Sequence, residues 1–155
     1  MKVLIGSDKS GFALKEGIKA LLTEQGYEME DMGTTDVDNP KRFCDVAPIV
    51  AGAVSRGQAE RAILICGTGM GMAQVASMQK GVFAACCESV YAAKMCRAIN
   101  NSNILCMGGW IVGFEMAAEM VKAFLTTEHT EGLEPWRQEF LQKALADVLA
   151  LDNRV

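Results

Sequence analysis

The chain has 155 residues, half of them hydrophobic, so its length and composition fit one domain with a full core. Its net charge is −4 at neutral pH, and the sequence shows no basic patch or extended run of lysine and arginine. These properties argue against a nucleic-acid-binding or membrane-surface protein, and they favour a small solute as the partner.

The spacing of apolar residues predicts strands and helices in alternation along the chain. Short strand-like runs predict five strands, at 2–6, 27–32, 61–66, 82–86 and 103–107. Helical spacing predicts six helices, at 11–25, 45–56, 70–78, 88–99, 112–125 and 136–149. The segment at 33–43 is rich in glycine, threonine, aspartate, asparagine and proline, which predicts a loop.

Because a helix separates each strand from the next, the strands are expected to pair in parallel within one sheet. The predicted fold class is α/β, with a doubly wound, five-stranded parallel sheet and a C-terminal helix extension in a single domain. Ligands of such sheets bind beyond the carboxyl ends of the strands. The residues expected there are Ser7, Asp8, Lys9, 66–71, Glu88, Gly108 and Gly109.

The residues after the predicted third strand carry the clearest sign of chemistry. Cys66 ends the apolar run and leads straight into Gly67, Gly69 and Gly71 before the next helix begins. A thiol in this position faces backbone N–H groups and the positive end of a helix dipole, which favour a thiolate and a nearby oxyanion. An ordinary buried strand-end cysteine is the alternative. The glycine spacing matches neither a dinucleotide-binding fingerprint nor a Walker loop.

The remaining cysteines predict neither a disulfide framework nor a metal site. Most of them are interpreted as small buried hydrophobes in a reducing compartment. The sequence has no Cys-x-x-Cys pair and a single histidine, His129, which argues against zinc. The start of the chain lacks the pattern of a signal peptide, and no apolar run reaches the length of a membrane span, so a cytoplasmic protein is expected.

Four motifs stand at the ends of predicted strands. They are Gly6-Ser7-Asp8-Lys9-Ser10-Gly11-Phe12, Cys66-Gly67-Thr68-Gly69-Met70-Gly71, Glu88-Ser89-Val90-Tyr91 and Arg97-x-x-Asn100-x-x-Asn103-Ile104-Leu105-x-x-Gly108. Together, over 1–122, they resemble the ribose-5-phosphate isomerase B family, which also holds the two subunits of galactose-6-phosphate isomerase. The resemblance implies a Rossmann-like fold and aldose–ketose isomerisation of a phosphorylated sugar, without metal or organic cofactor. It also implies a homodimer or dimer of dimers with sites between subunits, and the helix near 133–150 is expected to contact the partner.

By this resemblance Cys66 is the base that moves a proton between C1 and C2 of the sugar through an enediolate. The backbone N–H groups of the following loop are expected to form the anion hole, and the Thr68 hydroxyl to contact the enediolate. Asp8 is expected to contact sugar hydroxyls, and Asn100 to touch the reacting end of the substrate. The other expected substrate-binding residues are Gly67, Gly69, Met70 and Gly71, with Lys9 and Arg137 as candidate phosphate ligands.

Several of these side chains also have an ordinary structural interpretation. Asp8 and Thr68 are suited to cap the helices that follow them. Lys9 and Arg137 fit a solvated surface as well as a phosphate site. The sequence alone leaves these alternatives open.

The chain departs from the family pattern at residues that handle the sugar ring and the phosphate. Lys9 and Ile99 stand where members usually carry histidine, and the second of these histidines is credited with ring opening. Ser77 and Phe83 replace a usual asparagine and arginine, and Arg137 is what remains of a C-terminal segment commonly rich in arginine and histidine. The reaction is therefore better predicted than the substrate.

Loss of the ring-opening histidine has two interpretations. The substrate can be a sugar that never closes into a ring, such as a four-carbon ketose phosphorylated on its terminal hydroxyl, for example erythrulose 4-phosphate. Alternatively, Asp8, Lys9 or a water molecule opens the ring. A different class of function also remains open, namely a non-catalytic or partner-dependent subunit of a two-gene isomerase that binds the sugar phosphate.

Overall fold

The computed structural model describes residues 1–154, and its five strands and six helices follow the predicted order. The strands are β1 (Lys2–Ser7), β2 (Glu28–Asp31), β3 (Arg61–Cys66), β4 (Ala84–Cys86) and β5 (Ile104–Gly108). The helices are α1 (Phe12–Glu24), α2 (Phe43–Ser55), α3 (Met70–Ala76), α4 (Val90–Ala98), α5 (Phe114–Thr126) and α6 (Pro135–Leu151). The predicted α/β fold class is confirmed.

Predicted and observed boundaries agree best for β3 and differ visibly for β4. β3 has the predicted bounds, and all of its residues are buried. β4 keeps only three residues, because the chain before it bonds elsewhere. The N–H of Phe83 donates to Oδ1 of Asn103 at 2.9 Å, and the N–H of Val82 closes a turn on the carbonyl of Gln79 at 3.2 Å. Side-chain and turn hydrogen bonds of this kind replace a strand ladder without changing the apolar pattern.

All strands of the sheet run parallel, in the order β2-β1-β3-β5-β4. The chain leaves β1 toward β2 on one side and returns to β3 on the other side, so the order reverses between β1 and β3. In the register of the sheet, Ser7 lies beside Ile65 and Cys66 lies beside Gly108. The residues that follow β1 and β3 therefore meet at the switch point where sheets of this kind bind ligands.

Helices cover both faces of the sheet. α1, α4 and α5 pack on one face around Ile63, Ile65 and their neighbours. α2 and α3 pack on the other face around Leu64 and Cys66. Because successive strand residues point to opposite faces, β3 contributes to both cores. Each fully buried aliphatic side chain contributes roughly 1.5–3 kcal/mol, so packing on both faces holds the strand that ends at Cys66.

α6 is the helix that the rest of the chain covers least. Leu141 is buried, whereas large apolar side chains of the same helix are exposed, namely Trp136, Phe140, Val148, Leu149 and Leu151. Several large apolar side chains exposed along one helix are typical of contact with another protein chain. Within residues 1–154, no helix has both the length and the apolar character that a membrane crossing requires.

Candidate active site

Cys66 lies at the carboxyl end of β3, with 5% of its surface exposed. Its Sγ accepts a hydrogen bond from the backbone N–H of Gly69 at 3.1 Å. Gly69 has a φ of +79°, a backbone conformation that favours glycine. A side chain there would also lie 2.8 Å from the backbone of Met107. The tight turn thus directs an N–H dipole at the sulfur, which favours negative charge there.

Two aromatic rings lie against glycines of the loop after Cys66. A Cβ at Gly67 would lie 2.8 Å from the ring of Trp110, and a Cβ at Gly71 would lie 2.9 Å from the ring of Phe43. Neither ring could stay in place over a larger residue. The glycines therefore serve two purposes, because they leave the loop backbone bare and make room for the aromatic walls.

These groups enclose a cavity of about 190 Å³, which we call the inner cavity. Its lining residues are Asp8, Ser10, Phe43, Cys66, Gly67, Thr68, Gly71 and Trp110. The structure therefore brings together five of the residues that the sequence predicted, from the ends of β1 and β3. Asp8 is the one charged side chain in this lining.

Asp8 and Thr68 both hydrogen-bond to backbone N–H groups near the start of the following helices, and both residues also line the inner cavity. Oδ1 of Asp8 accepts the N–H of Gly11 at 3.0 Å, in the turn just before α1. Oγ1 of Thr68 accepts the N–H of Met70 at 3.3 Å, at the start of α3. Because the Thr68 hydroxyl accepts this bond, its own proton is free to be donated to a substrate.

A second cavity of about 450 Å³ adjoins the first, and we call it the outer cavity. It shares Asp8 and Phe43 with the inner cavity. The rest of its lining is Lys9, Pro40, Lys41, Arg42 and Cys44. Three cationic side chains against one carboxylate make this region electropositive, in contrast to the inner cavity.

The loop at 33–43, which brings Lys41 and Arg42 to the outer cavity, is tied to the body of the fold. The side chain of Lys15 in α1 is fully buried, and its ammonium group bonds the carbonyl of Thr34 at 2.6 Å and the carboxylate of Asp31. Burial alone would raise the pKa of Asp31, but the ammonium groups of Lys15 and Lys19 hold that pKa below its ordinary value. Oγ1 of Thr34 in turn accepts the N–H of Lys41 at 3.0 Å.

Arg42 is held by a neighbour on α2. Its guanidinium makes two hydrogen bonds to the carboxylate of Asp45, at 2.8 and 2.9 Å. The same contact holds the pKa of Asp45 below its ordinary value. A bidentate pair of this kind fixes the plane of the guanidinium and leaves its remaining N–H groups available.

Not every predicted site residue reaches these cavities within one chain. Asn100 follows the C-terminal end of α4 and lines a different cavity, together with Ile99, Phe83 and side chains of α6. A helix that follows a strand runs back toward the amino edge of a parallel sheet, which places Asn100 away from Cys66. Arg137 lies in the first turn of α6 and lines neither the inner nor the outer cavity. The Met70 side chain is 57% exposed and lines neither of them.

The other cysteines differ from one another in burial and surroundings. All six cysteines are free, and Cys87, Cys96 and Cys106 are buried as expected. Cys86 is an exception, because it is exposed and has its Sγ 3.6 Å from the carbonyl of Thr68. Desolvation nevertheless raises the pKa of both Cys86 and Cys106, so their thiols stay protonated at neutral pH.

Sequence reasoning missed several residues that line the two cavities, and four of these contribute large aromatic or positively charged side chains. These four residues are Phe43, Trp110, Lys41 and Arg42. The adjacent cations Lys41 and Arg42 before α2 were a signal for anion binding in the sequence. The sequence of the loop that carries them, however, does not indicate which edge of the sheet this loop covers. No local sequence pattern indicates that the ring of Trp110 packs against Gly67. Among residues 1–154, no group of three or more histidine, cysteine or acidic side chains is placed to hold a metal ion.

Comparison with known proteins gives matches along nearly the whole chain. Residues 3–139 match the family model described as Ribose/Galactose Isomerase. A relative from Clostridium sp. (strain MSTE9), named 4-deoxy-4-sulfo-D-erythrose isomerase, is 60% identical and covers 100% of this chain and 98% of its own. A relative from Mycolicibacterium smegmatis, named D-erythrulose-4-phosphate isomerase 2, is 39% identical over 83% of this chain and 86% of its own. The solved structure of Clostridium thermocellum ribose-5-phosphate isomerase B is 35% identical, covers 97% of both chains and gives a TM-score of 0.87.

Proposed function

Because this chain belongs to the ribose/galactose isomerase family and is a sugar aldose–ketose isomerase, we propose that its substrate is a four-carbon sugar, aldose or ketose, with an anionic group on C4. The first candidate is 4-deoxy-4-sulfo-D-erythrose, for which the relative at 60% identity is named. The observation that carries the proposal is the inner cavity, where the Cys66 thiol, the Asp8 carboxylate and the Thr68 hydroxyl face one small volume.

We assign the proton transfer to Cys66. As a thiolate it removes the proton from C2 of the aldose, the C–H electron pair forms the C1–C2 double bond, and negative charge moves onto O1. Return of the proton to C1 and transfer of the O2 proton to O1 complete the ketose. The N–H of Gly69, 3.1 Å from Sγ, supports this assignment because it stabilises the sulfur in its charged form.

The negative charge of the enediolate is assigned to the loop after Cys66. The bare backbone of Gly67 and Gly71 lines the inner cavity, and donors fixed before the reaction stabilise charge that develops in the transition state. The Thr68 hydroxyl adds a donor from the same side. Asp8, which projects from the end of β1, is placed to orient the sugar hydroxyls.

A four-carbon substrate with a blocked C4 accounts for the missing ring-opening histidine. In 4-deoxy-4-sulfo-erythrose C4 carries sulfur in place of a hydroxyl, and in erythrulose 4-phosphate the hydroxyl is esterified. Neither sugar can close a five-membered ring, so neither needs a proton donor at Ile99. D-Erythrulose 4-phosphate is the second candidate, favoured by the relative at 39% identity that is named for it.

A second copy of the chain is part of this proposal. Asn100 and Arg137 lie outside the inner and outer cavities of their own chain, and α6 exposes Trp136 and Phe140 at 69% and 61%. We propose that α6 contacts a partner in a homodimer and that the partner's copy of these polar residues completes the site. Light scattering on the purified protein should give twice the mass of the chain or a multiple of that value.

The reaction is tested by following solvent deuterium into a panel of sugars. With 4-deoxy-4-sulfo-D-erythrose or D-erythrulose 4-phosphate, the purified chain should place deuterium on C2 of the aldose and on C1 of the ketose. It should label D-ribose 5-phosphate far more slowly because that sugar is cyclic in solution. Cys66→Ala should label the tetroses at least about 100-fold more slowly than wild type. Exchange into none of the tetroses by the wild-type protein would overturn the substrate proposal.

A further inference from the structure

The inner and outer cavities form one cleft with a gradient of charge. Asp8 and Phe43 belong to both linings, so the two volumes meet at these side chains. Beyond them the outer lining carries the positive charges of Lys9, Lys41 and Arg42, whereas the lining on the Cys66 side carries no positive charge and only the carboxylate of Asp8 at the junction. An anionic end group is repelled by the inner end and attracted by the outer end.

From this gradient we propose that Lys41 and Arg42, together with Lys9, bind the anionic group on C4 of the substrate. The inference rests on the proposed function and deepens it, because it adds the residues that recognise the charged end. Sulfonate and phosphate share the chemistry that this site requires, namely a tetrahedral oxyanion that accepts hydrogen bonds from ammonium and guanidinium groups. With the anion held there, C1 and C2 extend toward Cys66.

Hydrogen bonds to other parts of the fold hold the backbone of Lys41 and the guanidinium of Arg42 in place. The backbone N–H of Lys41 bonds Thr34, whose carbonyl is bound by the fully buried Lys15. The Arg42 guanidinium is oriented by two hydrogen bonds to Asp45. The loop is therefore anchored on α1, and the guanidinium on α2, so the cations are presented to the cleft without ordering a mobile segment on binding.

Negative charges on the same loop do not cancel this site. Asp36 and Asp38 form their own turn, in which the N–H of Asp38 bonds Oδ1 of Asp36 at 2.9 Å, and neither residue lines the outer cavity. Asp45 lies outside the outer-cavity lining but offsets part of the charge of Arg42. Lys9 and Lys41, which form no ion pair within residues 1–154, therefore supply most of the net positive charge. The lining of the outer cavity keeps three positive charges against the one negative charge of Asp8.

The test uses the full-length protein with Lys41→Met, Arg42→Met and the double variant. The matched control is Lys80→Met, a change in an exposed lysine at the amino edge of the sheet, just before Gly81. Two substrates are compared, 4-deoxy-4-sulfo-D-erythrose and uncharged 4-deoxy-D-erythrose. Each single variant should raise KM for the sulfonated sugar about tenfold with little change in kcat, as for loss of binding shared by ground and transition states. Deuterium exchange into the uncharged sugar should stay as in wild type.

A binding measurement separates this inference from the proposed reaction. Titration calorimetry with methanesulfonate and with inorganic phosphate should show binding to wild type and Lys80→Met, weakened in the double variant and at high salt. The same weakening without turnover of any tetrose would support the anion site and overturn the proposed function. An unchanged KM and unchanged anion binding in the double variant would overturn the anion site, and so would an equal loss of activity toward the charged and uncharged sugars.

Discussion

The inner and outer cavities lie side by side but are built in different ways. The inner cavity depends on the backbone, since Gly67, Gly69 and Gly71 set its shape and Cys66 ends a strand that is buried on both faces. The outer cavity depends on exposed side chains of a loop, of which Arg42 keeps 75% of its side-chain surface exposed. Packing thus constrains the group that we propose for proton transfer, whereas the residues proposed to set the substrate preference are charged side chains that can be exchanged at little cost in stability. Mutations should affect the two cavities in correspondingly different ways.

The largest effect is expected from Cys66→Ala. Loss of a general base typically lowers the rate by about 100-fold to 10,000-fold, and we expect kcat to fall by at least the lower figure. KM for the anionic sugar should change little, because the outer cavity is intact. Steady-state kinetics measure both constants, and a thermal melt close to that of wild type shows that the fold is kept. A variant with full turnover would remove Cys66 from the mechanism.

Gly69→Ala should damage the inner cavity through the backbone. Both Gly69 and Gly81 have positive φ, at +79° and +72°, which costs a non-glycine residue about 1–2 kcal/mol. Only Gly69 also has backbone atoms 2.8 Å from the added Cβ, whereas Gly81 has nothing within 4 Å. Gly81→Ala, the matched control, should therefore lose some stability and keep kcat. Gly69→Ala should lose more stability, and its kcat should fall as the N–H moves away from Cys66. Equal kcat in the two variants would contradict this explanation.

Lys15→Met should disturb the outer cavity without touching its lining. Removing one member of a buried ion pair costs about 3 kcal/mol, so the free energy of unfolding by urea should fall by about this amount. Lys19→Met, at the more exposed partner of Asp31, should cost less. KM for the anionic sugar should rise in Lys15→Met, because Thr34 and then Lys41 lose their anchor, while kcat stays near wild type.

The ion pair between Lys15 and Asp31 also predicts that stability depends on pH. The pKa of Asp31 is lowered from 3.8 in the folded state, so the unfolded chain takes up this proton first as the pH falls. The stabilisation is complete above the unfolded pKa and is lost as the pH falls through the folded pKa. Urea unfolding at a series of pH values from about 5 to 3 measures the free energy of unfolding at each pH. As the pH falls, this free energy should decrease less steeply in Lys15→Met than in wild type. Parallel curves would show that the pair does not control this titration.

The smallest effect is expected from Asp45→Asn. Exposed pairs contribute little to stability, so the melting temperature should not change measurably. The guanidinium of Arg42 would lose its fixed plane but also a neighbouring negative charge, and because these effects oppose each other KM for the sulfonated sugar should change by no more than roughly twofold to threefold. Asp38→Asn, on the same loop but outside the outer cavity lining, is the control and should leave KM unchanged. A shift of KM in Asp38→Asn alone would point to a general effect of charge.

Much of the fold could be predicted because the signals are local. β3 has an uninterrupted apolar run, and its observed bounds are the predicted ones. Cys66 was identified by the glycines that follow it, and the carboxyl-edge rule for parallel sheets placed Asp8 beside it. The bounds of β4 could not be predicted from its apolar run, because a side chain distant in sequence, Asn103, takes the N–H of Phe83.

The sequence by itself determined the alternation of elements, the parallel sheet and the position of Cys66 at a strand end, since periodicity and glycine placement act over a few residues. Only the tertiary structure decided that Phe43 and Trp110 form the walls of the inner cavity and that Lys41 and Arg42 share a cleft with Cys66. It also separated Asn100 from Cys66 within one chain. These relations depend on which strands are neighbours and on which edge of the sheet each loop covers, and the order β2-β1-β3-β5-β4 sets them through contacts between distant parts of the chain.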